Sequence, residues 1–530
     1  MLETPETESA TSLKRLDPKT RSVSSREAGQ CLILLLLGAA VYLYLNLFSL
    51  PHTPYLLTGD QVYFWTYAQR MFYGDRVYLD FFQFTPPGID LLYMVFFKAF
   101  GLHVWVTNAV VLVLGVVFCG MCFVLAKEIM SLRSAALAVV LFLVHIYGKS
   151  LNGTHHWFSV LAIMIAVKIC MREITRRRIF IAGALLGLAS FFTHTHGAAA
   201  LLAFAIFLIW KRARSRKAWT AFAGEEALLF SGFAVVLLLC NAHWLATVGW
   251  RQLWYLQVTY VLKYVATYDQ GGVLGLPGGP ARHAFFRVAP YLTVYLTLPL
   301  VYSLALWKCW RKCHDDSFSW NRIALLSLVG SLLLIEVAFS LNWLRLYAVS
   351  IAGIILLVWI LDQERTLRRY AIPLLWIVIC ALAVKQTMWG HRDHSQRVLL
   401  PGGEVAASSQ VCEELSWIAQ RTRPGQFFFQ APWPGMYLSL QLHNPVFTDQ
   451  VLPGETTPSS KVLLTVRQLD QKQVPYVLWD SSLDSVSGIR DPAKDHIAPL
   501  RQYLHDRYHR VRTFSNGDQF WQRNEAGNPL

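Results

Sequence analysis

The sequence predicts an α-helical integral membrane protein that carries a small α/β domain at its carboxyl end. Of its 530 residues, 54% are hydrophobic and only 15% are charged, whereas soluble domains carry about 25% charged residues. Uncharged apolar runs of membrane-spanning length begin with Cys31–Leu50 and recur as far as residue 389. Beyond residue 390 these runs stop, and short apolar strands alternate with amphipathic helices.

These features divide the chain into three predicted parts. Residues 1–30 form a cytoplasmic tail, residues 31–389 a bundle of about 11–13 transmembrane helices, and residues 390–530 an extracytoplasmic domain. The first apolar run lacks a small-residue cleavage site, so we expect it to remain as an anchor. Within the domain, the patterns predict helices over Glu404–Arg421, Lys461–Gln471 and Asp495–Arg507, strands over 426–430, 446–448 and 474–479, and a type I′ hairpin at Asn516-Gly517.

The net charge of +15 is concentrated at the ends of the apolar runs. Short basic connections mark the cytoplasmic side of a membrane protein, so the charge sets topology rather than recognising nucleic acid. The alternation places the first loop, residues 51–85, and the connection 250–288 on the other side. One conflict remains, because 86–100 and 104–126 cannot both cross the membrane without breaking this alternation. The basic connections are 172–178, 211–217, 308–312 and 365–369.

The first loop holds an acidic residue, Asp60, at the predicted boundary between membrane and water. Tyr63 and Tyr67 follow it at helical spacing, and a Pro-Pro pair opens the next apolar segment. A carboxylate held against the bilayer is a functional candidate, because its desolvation is costly. The alternative is structural, since Asp60 could simply cap the amino end of a short interfacial helix.

Asp60, the aromatic helix after it, the Tyr78–Phe82 segment and the Pro-Pro pair together resemble the first outer loop of GT-C glycosyltransferases. Among these, the loop is most similar to bacterial enzymes related to protein O-mannosyltransferases and lipid A aminoarabinose transferases. The resemblance implies a GT-C-like bundle in the bacterial inner membrane and no cofactor. It also implies inverting transfer of a monosaccharide from a polyprenyl-phosphate carrier to a lipid, glycan or protein acceptor outside the cytoplasm, with Asp60 as the base.

The same resemblance points to substrate-binding residues in the first loop, namely Tyr63, Tyr67, Asp80 and Gln83. Some relatives have a second carboxylate directly before the Pro-Pro pair, where this chain has Gln83. A site with two acids is therefore an open question here. Asp80 is either part of such a site or a residue of a structural turn.

Basic side chains near outer helix ends are the candidates for binding the carrier phosphate, because the Arg guanidinium matches phosphate geometry. Arg345 lies in a basic and aromatic segment that resembles the one near the carrier phosphate in the family. Its alternative role is an interfacial Arg that extends its head to water within a belt of Trp and Tyr. Lys263 and Arg282 are further candidates in the 250–288 connection.

Histidines cluster at outer helix ends, at 155–156 and 194–196, and His196 fits the His-Gly pattern of the family. Paired imidazoles could bind a divalent metal, but polar helix ends that bond to neighbouring backbone or lipid phosphate explain them more simply. Cys309, Cys313 and His314 lack a second ligand pair for zinc. We therefore predict no metal site.

A different class of protein would share the hydropathy pattern. A transporter or flippase of lipid-linked envelope precursors also has about a dozen spans, but it typically shows two matching halves with charges at mid-span. Glu336 is the clearest deep acid in this sequence, and no half-repeat is visible. The side of the membrane on which Asp60 lies distinguishes the two classes.

Overall fold

Long helices form most of the chain, as the apolar runs require. The computed structural model describes residues 25–213, 219–265, 281–312, 318–338, 343–452, 457–484 and 495–524. Within these residues, eight helices are long and apolar enough to cross a membrane. The helices that contain these spans are Ser25–Leu47, Val104–Ala126, Leu132–Ser150, His194–Ala213, Trp219–Thr247, Ala281–Arg311, Phe318–Ala338 and Arg365–Asp393.

Three shorter helices pack into the same bundle. They are His155–Cys170, Arg176–Phe192 and Ile351–Gln363. The short helix Trp343–Val349 precedes the last of them. With these three, the eight long helices make a bundle of eleven in the part of the chain described. The predicted helical membrane fold is confirmed, and eight helices in the described part of the chain are long and apolar enough to cross a membrane, against the 11–13 predicted.

The helix Gly88–Phe100 explains the conflict in the predicted alternation. Its 13 residues span about 20 Å, which is shorter than the roughly 30 Å of a bilayer core. Before its start, the Phe82 amide donates to the Phe447 carbonyl, and beyond its end the Val104 amide donates to the Gly402 carbonyl. Both ends therefore lie beside the carboxyl-terminal domain. A helix of this length need not cross the membrane, and the predicted alternation then requires only 104–126 to cross.

Two bundle helices meet through glycine. Gly183 and Gly187 lie four residues apart on Arg176–Phe192, and a Cβ at either position would lie 2.1 or 2.5 Å from a backbone oxygen of the helix Trp219–Thr247. Gly232 on that second helix makes the reciprocal approach at 2.3 Å. Helices in a membrane associate by close packing rather than by the hydrophobic effect, so this small-residue contact fixes the spacing of the pair.

An ion cluster lies beside the basic connection 172–178. Arg322 lies 2.9 Å from Glu128 and donates 3.1 Å to the Met171 carbonyl, and Lys168 pairs with the same Glu128. Glu128 is thus held by two cations from two other helices. This ion cluster joins the ends of three helices.

The carboxyl-terminal domain is built on a four-stranded sheet. Its strand order is β5-β6-β8-β7, with β5 and β6 parallel and the other neighbours antiparallel. Helices Ser459–Gln471 and Ala498–Arg507 contribute to the apolar core on one face, and Ser409–Ala419 contributes to the core on the other. The strands are β5 Phe428–Ala431, β6 Tyr476–Asp480, β7 Tyr508–Thr513 and β8 Asp518–Arg523.

A small hairpin precedes this sheet and corrects one predicted element. β3 Gln396–Leu400 pairs with β4 Gly403–Ala407, so the helix predicted over Glu404–Arg421 begins only at Ser409, where the Ser408 hydroxyl accepts from the Val411 amide. Residues 404–407 form a strand because they pair with two partners, β3 and the first loop. The contact to the first loop is a 2.9 Å hydrogen bond from the Leu56 amide to the Ala406 carbonyl.

Two other predictions in the domain need correction. Residues 446–448 form a loop rather than a strand, because the Val446 carbonyl accepts from a buried side chain described below. The predicted hairpin at Asn516-Gly517 exists, but of its turn residues only Gly517 has a positive φ, of 96°. A type I′ turn needs two such residues, so the β7–β8 turn is of another type.

Candidate active site

A cavity of about 200 Å³ lies where the first loop, the bundle and the domain meet. One wall comes from the first loop and one from the domain, and the bundle contributes a few side chains between them. Asp60 and Arg345, predicted as base and phosphate ligand, both line it. The remaining lining residues are Tyr63, Phe64, Tyr67, Phe82, Gln83, Phe84, Thr85, His155, His156, Tyr260, Trp433, Thr448, Asp449, Gln450, Leu452, Thr457 and Lys461.

Asp60 sits immediately before the helix Gln61–Phe72. Its backbone is helical, with φ −57° and ψ −24°, and its side chain makes no cap hydrogen bond to the helix. The geometry thus does not support the alternative of a simple helix cap. The half-buried carboxylate lines the cavity instead, so it can act on a group bound there.

Neighbouring contacts hold this helix against the bundle. Gln61 donates 3.0 Å to the Thr58 carbonyl and accepts 3.1 Å from the Gly153 amide. Gly153 lies directly before the helix His155–Cys170, whose first two side chains line the cavity. One amide side chain therefore sets the position of Asp60 relative to the histidine pair.

Tyr63 and Tyr67 follow Asp60 along the same wall, as their spacing predicts. The Tyr67 ring stacks on Phe81 at 5.3 Å, and Tyr63 meets the edge of Trp433 at 5.9 Å. Burial, and next the Asp449 charge, raise the pKa of Tyr67 well above its usual range. The Tyr67 hydroxyl thus stays protonated and can donate a hydrogen bond.

The structure separates the roles of Gln83 and Asp80. Gln83 lines the cavity and donates 2.8 Å to Asp90, a fully buried carboxylate that the site prediction did not include. Asp80 lies outside the cavity lining and pairs with Arg76 at 2.9 Å, and the Arg76 hydrogen bonds lower its pKa. Asp80 is therefore a turn residue, whereas the second acid stands behind Gln83.

The three predicted phosphate ligands are placed differently. Arg345, on the short helix Trp343–Val349, is half-buried and lines the cavity. Lys263 is exposed, lies outside the lining and has its amine 5.1 Å from the Tyr264 ring. The side chain of Arg282 falls outside the part of the chain that the structure describes.

Behind the histidine pair, His196 connects the cavity to the bundle interior. His156 Nδ1 lies 3.1 Å from His196 Nε2, and His196 Nδ1 lies 2.7 Å from a Glu336 carboxylate oxygen. His196 itself is fully buried and does not line the cavity. His196, predicted as a substrate-binding residue, thus lies behind the lining and links Glu336 to a histidine that does line the cavity.

Arg70 is the main connection between the first loop and the domain. Its guanidinium lies 2.8 Å from Asp75 and 2.8 Å from Asp449, and it donates to the carbonyls of Val446 at 2.7 Å and Asp80 at 3.1 Å. Arg70 is 3% exposed, so these contacts are shielded from water. Burial raises the pKa of Asp449 to about 6, although Arg70 opposes that rise.

Lys461 reaches the cavity from the domain helix Ser459–Gln471. Its amine lies 2.8 Å from the centre of the Phe82 ring and 4.0 Å from that of Tyr260. Burial lowers the pKa of this amine to about 6. The sequence prediction missed this residue, because it treated Lys461 only as the first residue of a domain helix.

The cavity thus combines a carboxylate, a guanidinium, imidazoles and aromatic rings behind partial cover from water. A carboxylate near a bound hydroxyl can act as general base, and a guanidinium can bind a phosphate in two-point fashion. Among the described residues, no group of three or more His, Cys, Asp or Glu side chains could hold a metal ion.

Solved structures share this architecture. ArnT from Cupriavidus metallidurans bound to undecaprenyl phosphate matches with a TM-score of 0.59 and 13% identity, over 95% of this chain and 100% of that chain. The apo form of that ArnT matches with a TM-score of 0.52 and 14% identity, over 93% of this chain and 98% of that chain. An Archaeoglobus fulgidus oligosaccharyltransferase tethered with an acceptor peptide matches with a TM-score of 0.53 and 13% identity, over 96% of this chain and 75% of that chain.

The chain has a GT-C fold. No protein-family model and no curated protein matches the sequence. At 13–14% identity the likeness concerns the fold, and the chemistry must be argued from the residues of this chain.

Proposed function

We propose that the protein is a membrane glycosyltransferase that moves a monosaccharide from a polyprenyl-phosphate carrier to a lipid, glycan or protein acceptor, with inversion. The observation that carries this proposal is the meeting of Asp60 and Arg345 in one cavity. They are far apart in the sequence and supply the two chemical functions that such a transfer needs. The undecaprenyl phosphate bound by ArnT gives the class of carrier.

In this proposal the reaction is a single displacement at the anomeric carbon of the sugar. Asp60 accepts the proton of the acceptor hydroxyl or amine as the acceptor atom bonds to the anomeric carbon. The bond from that carbon to the phosphate oxygen breaks at the same time, and its electron pair leaves with the phosphate. Arg345 stabilises the charge that grows on the departing phosphate. Electrostatic stabilisation of this kind supplies the largest part of the rate enhancement in many enzymes.

The proposal is tested by extracting the protein from its native membrane and identifying the bound lipid by mass spectrometry. We expect a polyprenyl phosphate, with or without a sugar. The purified protein should then release bare polyprenyl phosphate from a synthetic glycosyl carrier only when an acceptor is added. Movement of the intact carrier across a vesicle membrane without release would instead support the transporter alternative.

We also propose that the cavity faces the extracytoplasmic side of a bacterial inner membrane. The basic connection 172–178 follows the carboxyl end of the helix His155–Cys170, whose first two residues line the cavity, and such connections stay in the cytoplasm. A reporter that is active only in the cytoplasm should therefore be silent when fused after Leu530 and active when fused within 211–217. The reverse pattern of signals would place Asp60 inside the cell and contradict this orientation.

Changes at Arg345 should weaken binding of the carrier in a graded way. Arg345→Ala removes the charge, whereas Arg345→Lys keeps the charge but loses the two-point geometry. We expect the Ala variant to bind bare polyprenyl phosphate more weakly by about 1.5–3 kcal/mol, the typical value of a hydrogen bond to a charged group, and the Lys variant to lie between Ala and the parent.

Arg251→Ala provides the matched control for this measurement. Arg251 is exposed on the short helix Trp250–Trp254 and does not line the cavity, so its loss should leave carrier binding unchanged. Equal binding by Arg345→Ala and the parent would show that Arg345 serves only as an interfacial residue.

A further inference from the structure

The domain side of the cavity carries polar atoms that have no partner. Thr448 Oγ1, one carboxylate oxygen of Asp449 and the Lys461 amine are all buried at the cavity lining without a hydrogen-bond partner among the residues that the structure describes. Buried polar side chains in folded proteins are nearly always hydrogen-bonded, to protein or to a bound molecule. Three such atoms on one wall of a cavity can be satisfied together by one ligand that supplies the missing bonds.

The kinds of atoms define the chemistry of that ligand. The Asp449 oxygen accepts, the Lys461 amine donates, and the Thr448 hydroxyl does both. A phosphoryl group offers only acceptors at neutral pH and would be repelled by Asp449. Hydroxyl groups of a neutral polyol both donate and accept, so they can satisfy all three side chains.

The low pKa of Lys461 supports the same choice. Because burial lowers this pKa to about 6, the amine carries little positive charge near neutral pH and is a weak ligand for an anion. An uncharged amine can still exchange hydrogen bonds with hydroxyl groups. Its position between the rings of Phe82 and Tyr260 keeps it out of bulk water.

An aromatic side chain completes this wall. Trp433 lines the cavity, meets Tyr63 edge to face at 5.9 Å and leaves 43% of its surface exposed. An open indole face can cover the apolar C–H face of a sugar ring. Sites for small molecules typically combine such apolar surface with a few polar groups that fix orientation.

We propose that this wall, formed by Trp433, Thr448, Asp449 and Lys461, binds the ring of a neutral hydroxylated sugar and thereby selects the sugar that the protein accepts. The inference rests on the proposed function for its role in transfer, but the binding site itself can be tested separately. The sugar belongs either to the donor or to a glycan acceptor, and the two sources require different probes.

The test compares three ligands in direct binding measurements on the full-length protein. They are a short polyprenyl phosphate carrying glucose, the same polyprenyl phosphate without sugar, and hexyl glucoside, which has a sugar and no phosphate. Lys461→Met should weaken binding of the glucosyl carrier about tenfold, as expected for one lost hydrogen bond, and leave the bare carrier unchanged. Lys461→Gln should keep part of the affinity, because its amide donates and accepts.

Arg467→Met is the matched control, since Arg467 is an exposed cation on the same helix. It should leave all three affinities unchanged. Weaker binding of hexyl glucoside alone by Lys461→Met would assign the wall to an acceptor sugar and still support the proposal. Equal weakening of both carriers would make Lys461 a phosphate ligand and overturn it, and unchanged affinities in both Lys461 variants would overturn it too.

The outcomes separate this inference from the proposed function. If the parent binds hexyl glucoside through Lys461 but neither polyprenyl phosphate, the sugar site stands and the transferase proposal fails. If the parent binds the bare carrier as tightly as the glucosyl carrier and does not bind hexyl glucoside, the sugar site fails while the carrier site stands.

Discussion

Asp60→Asn is expected to give a folded protein that still binds the lipid carrier and transfers sugar at least about 100 times more slowly than the parent. Asn keeps the size of the side chain but cannot take a proton from the acceptor. Asp60→Glu should recover part of the rate, because it restores a carboxylate that is displaced by one methylene. The measurement is transfer from a synthetic glycosyl polyprenyl phosphate, normalised to folded protein.

Asp80→Asn is the matched control for this experiment. It makes the same change in the same loop, at a carboxylate that pairs with Arg76 outside the cavity lining, and should therefore leave the rate per folded molecule near that of the parent. A fully active Asp60→Asn variant would show that another group, such as His156 in the same cavity, accepts the proton.

Arg70→Met should destabilise the junction between the first loop and the domain by about 3–5 kcal/mol, the usual cost of removing one partner from a buried ion pair. The variant leaves Asp449 buried without its cation. Lowering the pH towards about 4 should reduce this loss of stability. A buried carboxyl group whose pKa is raised in the folded state destabilises the protein only above the pKa that it has in the unfolded chain. Thermal unfolding of the purified protein at several pH values measures the effect.

Two further variants check the cause of that loss. Asp449→Asn added to Arg70→Met removes the uncompensated charge and should recover part of the stability. Arg76→Met breaks an exposed pair, with the Arg76 side chain 69% exposed, and should leave the stability close to that of the parent, because exposed pairs contribute little. A small effect of Arg70→Met at neutral pH would mean that water reaches this network.

The sequence predicted the parts of the site that lie within one segment. Asp60, Tyr63 and Tyr67 share a short helix with a readable period, and the Pro-Pro pair marks the start of the next one. Arg345 could be proposed because a basic residue stands out between two apolar runs. In each case the local pattern contains the information, and the structure places all four residues on one cavity.

Sequence reasoning failed where the decisive partners are distant in the chain. Residues 404–407 pair with β3 and contact Leu56, and that pairing outweighs a local preference for helix. Sequence reasoning did not single out Arg70 as a site residue, because its partner Asp449 lies 379 residues away. Lys461 was assigned to an ordinary domain helix, since nothing in its neighbours shows that it ends in a cavity.

The sequence separation between Arg70 and Asp449 also determines when this ion pair can form during synthesis. At about 5–20 residues per second, the ribosome adds Asp449 roughly 20–75 s after Arg70. For most of that interval the first loop has left the ribosome, but Asp449 and the domain residues after it do not yet exist. The guanidinium must stay hydrated, and the cavity has only one wall. A chain that stops before residue 449 therefore carries the base and the arginine without an enclosed place for them to act.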